Sequence, residues 1–174
     1  GPLERVDGRI WFPDGRRVVL CGNEHGRPFR CYAQDLVRGV PQPLTPENVD
    51  VSAISPDSTR LAVFAADGKP SIFDLRDRSV RPIPGTTADD AVISWSRDGQ
   101  SVFVQRRPSS PRVERVDVAT GRRAVAVETA LPDRAGLMRL TISDVSNDGD
   151  NYVYTYWKRT SRLYVVRDAS SSAR

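Results

Sequence analysis

Histidine occurs once in the 174 residues and cysteine twice, and all three sit close together as Cys21, His25 and Cys31. A zinc centre takes four ligands at familiar spacings, and Cys-x3-His-x5-Cys supplies three with no CxxC or HxxxH element. No metal and no cofactor are expected. Nucleophilic or acid-base catalysis needs a reactive group held by partners, and the sequence has neither a G-x-S-x-G elbow nor a P-loop. No enzyme activity is expected. Long apolar runs are missing as well: none approaches the roughly 20 residues of a membrane-spanning helix, so no membrane insertion is expected. Helix signals are nearly absent. The best is Asp133-Arg134-Ala135-Gly136-Leu137, where Gly136 lowers the propensity.

Lysine is confined to Lys69 and Lys158, so 24 of the 26 basic residues are arginine, in a chain of formal charge +4. One reading is arginine as the default surface cation of a GC-rich coding sequence. The other is an anion or nucleic-acid surface, since the guanidinium fork suits phosphate. The arginines are spread along the chain and interleaved with acids, as in Asp74-Leu75-Arg76-Asp77-Arg78. That dispersal speaks against nucleic acid. The chain has no initiator Met, and Gly1-Pro2 reads as the remnant of a cleaved tag on a segment of a longer protein. The compartment, bacterial cytoplasm or periplasm, stays open. Cys21 and Cys31 on paired strands could be close enough for a disulfide, yet two buried free thiols are the expected state.

What the sequence does contain is a repeat. The tetrad Pro13-Asp14-Gly15-Arg16 returns as Pro56-Asp57-Ser58-Thr59, Arg97-Asp98-Gly99-Gln100 and Asn147-Asp148-Gly149-Asp150, its aspartates 43, 41 and 50 residues apart. That is the period of a four-stranded propeller blade. A short apolar stretch precedes each tetrad and a β-rich run follows it, which predicts two strands joined by a tight hairpin. The aspartate accepts from backbone N–H groups just ahead, and glycine tolerates the positive φ that closes the turn. Ser58 departs from this pattern, so its turn is expected to be strained or of another type.

A third strand follows in each unit: Phe29-Arg30-Cys31-Tyr32-Ala33, Pro70-Ser71-Ile72-Phe73-Asp74-Leu75, residues 112–118 and Arg162-Leu163-Tyr164-Val165-Val166. Short fourth strands are expected at Gln42-Pro43-Leu44, Val80-Arg81-Pro82-Ile83 and Ala124-Val125-Ala126-Val127. Pro43 and Pro82 cannot donate to a ladder, which places these strands at the outer edge of each blade. The fourth unit has no fourth strand of its own. Residues 3–6 have the alternation to pair with residues 163–166 and close the ring, or they are the last strand of a preceding blade.

These residues resemble a known family. The Pro-Asp-Gly-Arg tetrad, Pro41-Gln42-Pro43-Leu44-Thr45-Pro46, Trp95-Ser96-Arg97-Asp98-Gly99, Asp117-Val118-Ala119-Thr120-Gly121 and the run Tyr152-Val153-Tyr154-Thr155-Tyr156 resemble TolB-like, WD-like propeller repeats. Similar arrays form C-terminal regions of bacterial serine/threonine kinases and regulators. The resemblance implies an all-β propeller with four blades of antiparallel four-stranded sheets, closed alone or forming half of a larger ring. Complete propellers of the family usually have more blades, which favours the half-ring. The chain then divides into residues 1–7, a tag remnant with a possible closing strand; blades at about 8–46, 47–85, 86–128 and 129–168; and a disordered tail at 169–174.

Function is read from what this architecture permits. The expectation is a non-catalytic protein-interaction, sensor or scaffold module. Its partner would be another protein, the rest of its own polypeptide, or a second copy in a homodimer that completes a larger ring. The alternative is a gating or regulatory propeller within a larger enzyme such as a serine peptidase or kinase; a periplasmic binder of small molecules or cations is a weaker third. Loops linking one blade to the next converge on one propeller face, and Glu47, Asp50, Asp89, Asp90 and Arg134 are the candidate partner-binding residues there. The four acids would form a negative rim for a basic peptide or a cation, or be solvated loop charges. Asp14, Asp57, Asp98 and Asp148 are turn formers, His25 a solvated loop residue, and Trp11 and Trp95 are expected to pack between blades.

Overall fold

The computed structural model describes residues 3–37, 39–107, 110–129 and 135–164. Among these described residues, fourteen strands make three four-stranded antiparallel sheets and one hairpin. Blade 1 holds β1 (Leu3–Trp11), β2 (Arg17–Glu24), β3 (Arg30–Asp35) and β4 (Gln42–Pro43). Blade 2 holds β5 (Asp50–Ile54), β6 (Arg60–Phe64), β7 (Pro70–Asp74) and β8 (Val80–Pro82). Blade 3 holds β9 (Asp90–Trp95), β10 (Ser101–Arg106), β11 (Arg112–Asp117) and β12 (Arg123–Glu128). Blade 4 is the pair β13 (Leu137–Val145) and β14 (Tyr152–Lys158). Within each sheet the strands follow in sequence order, the up-and-down arrangement of a propeller blade. The array is a partial propeller.

The tetrads close the first hairpin of every blade. Asp57, Asp98 and Asp148 each accept a backbone N–H two residues ahead, and Asp14 accepts from both Arg16 and Arg17. In blades 2 to 4 a serine two residues earlier reinforces the turn: Ser55, Ser96 and Ser146 donate to the aspartate and accept from the N–H of Arg60, Ser101 and Asn151. Blade 1 has Phe12 at this position, buried beneath the Arg17 guanidinium. Ser58 adopts φ 59°, so the second turn has the left-handed shape of Gly15, Gly99 and Gly149 and carries the strain itself.

Alternation along the strands sends one set of side chains to each neighbouring blade. Val19 and Cys21 of β2 meet Val51, Leu61, Val63 and Phe73 of blade 2. Ala53 and Ala62, on the opposite side of blade 2, meet Val92, Trp95, Val102 and Val104 of blade 3. Phe103 and Val113 then meet Ile142 and Val145 of blade 4. The core is thus a series of inter-blade layers.

Four sequence expectations are corrected. Cys21 and Cys31 are register partners on β2 and β3 and form a disulfide, buried in the layer between blades 1 and 2; they are not free thiols. Residues 3–6 do not close a ring, because they extend β1 and pair within blade 1 through Leu3, Arg5 and Val6 with Glu24, Asn23 and Gly22. Arg162, Leu163 and Tyr164 are not in a strand, so the third strand expected for blade 4 is absent among the described residues, and β14 keeps one edge without a described neighbour. Trp11 is 58% exposed, whereas Trp95 at the equivalent position is 1% exposed. The difference follows from direction: this position packs against the preceding blade, and no described blade precedes blade 1. The helical turn expected at 133–137 lies partly outside the described residues, and Leu137 already begins β13. The tail at 169–174 lies wholly outside them.

Candidate functional site

Three regions of the arc could meet a ligand or partner: the face of blade-to-blade linkers, the opposite face where the tetrads gather, and the two open ends. The first linker is shaped by Thr45, whose buried hydroxyl accepts from Cys31 N–H at 3.0 Å and donates to the Val49 carbonyl at 3.1 Å. Glu47 and Asp50 are exposed on this linker, and Asp89 is exposed on the next. Arg134 lies outside the described residues. The Asp50 carboxylate and the two cysteine sulfurs lie within 4.8 Å of one another, but the sulfurs are bonded to each other, and His25 is instead beside Glu4 on the surface. A disulfide offers no thiolate to a metal.

Asp90 does not belong to the exposed rim. It is fully buried at the start of β9, where its oxygens accept from two Arg123 nitrogens at 3.1 and 3.2 Å and from Thr87 N–H at 2.9 Å. Arg123 also donates to Glu114 at 2.7 Å and to the Gly85 carbonyl at 3.0 Å. Burial alone would raise the Asp90 carboxyl, but the Arg123 and Thr87 hydrogen bonds prevail and hold it below the ordinary carboxylate value. The cluster therefore ties the linker to the outer strand of blade 3. It also removes Asp90 from the acids exposed on this face.

On the opposite face, Trp11, Phe12, Pro13, Pro56, Trp95 and Asn147 are among the residues of all four blades that line a hollow of about 610 Å3. The turn aspartates nearby are occupied. Backbone and side-chain donors lower the carboxyls of Asp57, Asp98 and Asp148, and the Arg16 N–H and Arg17 side chain bring Asp14 to about 2. Groups so engaged serve the turns. The serines that complete three of them went unrecognised in the sequence, although their spacing two residues before Asp57, Asp98 and Asp148 was there to find.

The open ends are apolar. At the blade 1 end Trp11 is more than half exposed. At the other end Val153 and Trp157 are 60% and 70% exposed on β14, with Tyr152, Tyr154 and Tyr156 in a row on its other side, centroids 6.1 and 6.3 Å apart.

This geometry has close counterparts among solved structures. TolB from Acinetobacter baumannii superposes over 91% of this chain with a TM-score of 0.62 at 20% identity. A putative TolB from Agrobacterium tumefaciens does so over 91% with a TM-score of 0.67 at 16% identity. The fold is that of a TolB-like β-propeller. The chain spans 44% and 57% of the lengths of those two proteins, so it corresponds to about half of each. The TolB-like arc also matches a prolyl endopeptidase structure, over 90% of this chain and 27% of that one, at 14% identity and a TM-score of 0.57. No protein-family model matches the sequence, and no curated protein sequence does.

Proposed function

We propose that this chain is a non-catalytic interaction module, an arc of TolB-like blades whose open end faces are covered by a second copy of itself in a larger composite ring. One observation carries the reading: Trp11 is exposed at a position whose equivalents Trp95 and Val145 are buried against a preceding blade. A large indole left in water at a packing position marks a face that expects a partner. The arc has about half the length of the TolB structures it matches, so two copies supply a ring of comparable length. Heterologous contacts close when the rotation between copies completes the circle.

Light scattering on a sizing column tests this. A mass near twice 19.3 kDa, reduced to that of one chain by Trp11→Glu, is the expected result. A monomer at every concentration would overturn self-association and leave the rest of the polypeptide as the cover. A second reading is an accessory propeller of an enzyme, favoured by the likeness to the prolyl endopeptidase structure. Both readings expect no turnover by the chain alone, and peptide hydrolysis by it would overturn both.

A further inference from the structure

The strand β14 is the second of its blade, and its sisters β2, β6 and β10 are the buried middle strands of theirs. Val153 lies five residues after the turn aspartate Asp148, as Val19, Ala62 and Phe103 do after Asp14, Asp57 and Asp98. Those three are 0%, 0% and 2% exposed, whereas Val153 is 60% exposed. Every residue of β14 is exposed, although the run Tyr152–Trp157 has no charge on either face. That is the composition of a strand covered on both sides. The edge of β14 away from β13 also has no described neighbour, and an open row of backbone N–H and C=O groups is a template for a further strand.

In the three complete blades one rule places the strand beside that edge. The residue three after the turn aspartate pairs with a second aspartate that ends the third strand: Arg17 with Asp35, Arg60 with Asp74 and Ser101 with Asp117. The second aspartate opens the next turn, accepting the N–H two residues ahead, from Val37, Arg76 and Ala119. It follows the turn aspartate by 21, 17 and 19 residues. After Asp150 the sequence holds a single acid, Asp168, which is 20 residues beyond Asp148 and is preceded by Val165-Val166-Arg167. Asp168 set opposite Asn151 brings Arg167 to Tyr152, Val166 to Val153 and Val165 to Tyr154. The connection fits as well. Five residues join second to third strand in blades 1 to 3, and six, Arg159 to Tyr164, lead from β14 to Val165 without entering a strand.

We propose that residues 165–168, which lie outside the described residues, are a strap that docks on the open edge of β14 as the third strand of blade 4, in that register. Antiparallel pairing uses the free backbone groups of the edge, and Val166 meets Val153 as Ala33 meets Val19 and Ile72 meets Ala62. The strap decides what this end of the arc offers a partner: a sheet face with Val153 and Trp157 in place of an edge open to any strand. It does not depend on the dimer.

Cysteine pairs introduced into the full chain test the register under mild oxidation. Val153→Cys with Val166→Cys is expected to form a disulfide within one chain, as the register partners Cys21 and Cys31 do on β2 and β3. Val153→Cys with Val165→Cys places the second thiol on the opposite face and should link about tenfold less. Equal yields, or no link in either variant, overturn the strand. A link between two chains, read as twice the mass on a non-reducing gel, overturns the chain's own segment as the occupant. Thermal melting checks folding; if Val153→Cys does not fold, Thr155→Cys with Tyr164→Cys, the counterparts of Cys21 and Cys31 in this register, replaces it. Ending the chain at Tyr164 should also raise hydrogen exchange of the β14 amides about tenfold while leaving β6 unchanged. No change at β14 overturns the strap. A monomer that forms the intrachain disulfide removes the dimer and keeps the strap, whereas a dimer that does not form it removes the strap and keeps the dimer.

Discussion

Ser58 holds a left-handed backbone, φ 59°, where the sister turns have glycine. A side chain in that conformation costs roughly 1–2 kcal/mol, part of which is offset because glycine gives a freer unfolded chain. Ser58→Gly is expected to stabilise the protein by about 1 kcal/mol in urea denaturation. The turn aspartates predict the acid limb of stability. Each has its folded pKa depressed, so its contribution is complete above the unfolded value and is lost as pH falls through the folded one. For Asp14 that window runs from 3.8 down to about 2. Melting temperature should therefore decline below about pH 4, and Asp14→Asn should flatten part of that decline. Asp90 and Asp89 are neighbours with opposite fates. Asp90→Ala removes one of the two carboxylates that pair with Arg123 and leaves the Thr87 N–H without its acceptor, and should cost about 1.5–3 kcal/mol; Asp89→Ala, on the surface, should change stability by less than about 0.5 kcal/mol.

Among elements, the β2–β3 hairpin is cross-linked by Cys21–Cys31 with a sequence separation of 10. Closing a loop of that length restricts the unfolded chain by about 2–3 kcal/mol. Reduction, or Cys21→Ala with Cys31→Ala, should lower the melting temperature by several degrees, read by circular dichroism with and without reductant. The first strands of blades 1 and 3 offer a sharper comparison, since Trp11 and Trp95 occupy one position of the repeat. Trp95 fills the layer against Ala53, Ala62 and Ile83, and Trp95→Ala should cost about 3–5 kcal/mol. Trp11→Ala should cost little in the monomer. Any larger loss for Trp11 should grow with protein concentration, the sign of a face that is covered by association.

For the whole molecule, the repeat of Asp14, Asp57, Asp98 and Asp148 was sufficient to place the blades, because turn chemistry is local and recurs once per sheet. Pro43 and Pro82 marked the outer strands for the same kind of reason: a missing N–H is a property of the residue itself. What depends on which blade stands next to which was not legible. Trp11 and Trp95 read alike in sequence, and only the absence of a described blade before the first separates an exposed indole from a buried one. Asp89 and Asp90 are adjacent acids in one linker, and only the arrival of Arg123 from the far edge of blade 3 draws the second into the interior. Local hydrogen bonding and alternation thus determined the tetrad hairpins and the strand order of blades 1 to 3, while burial and electrostatic partnership, which act through space between blades, were decided by the tertiary structure.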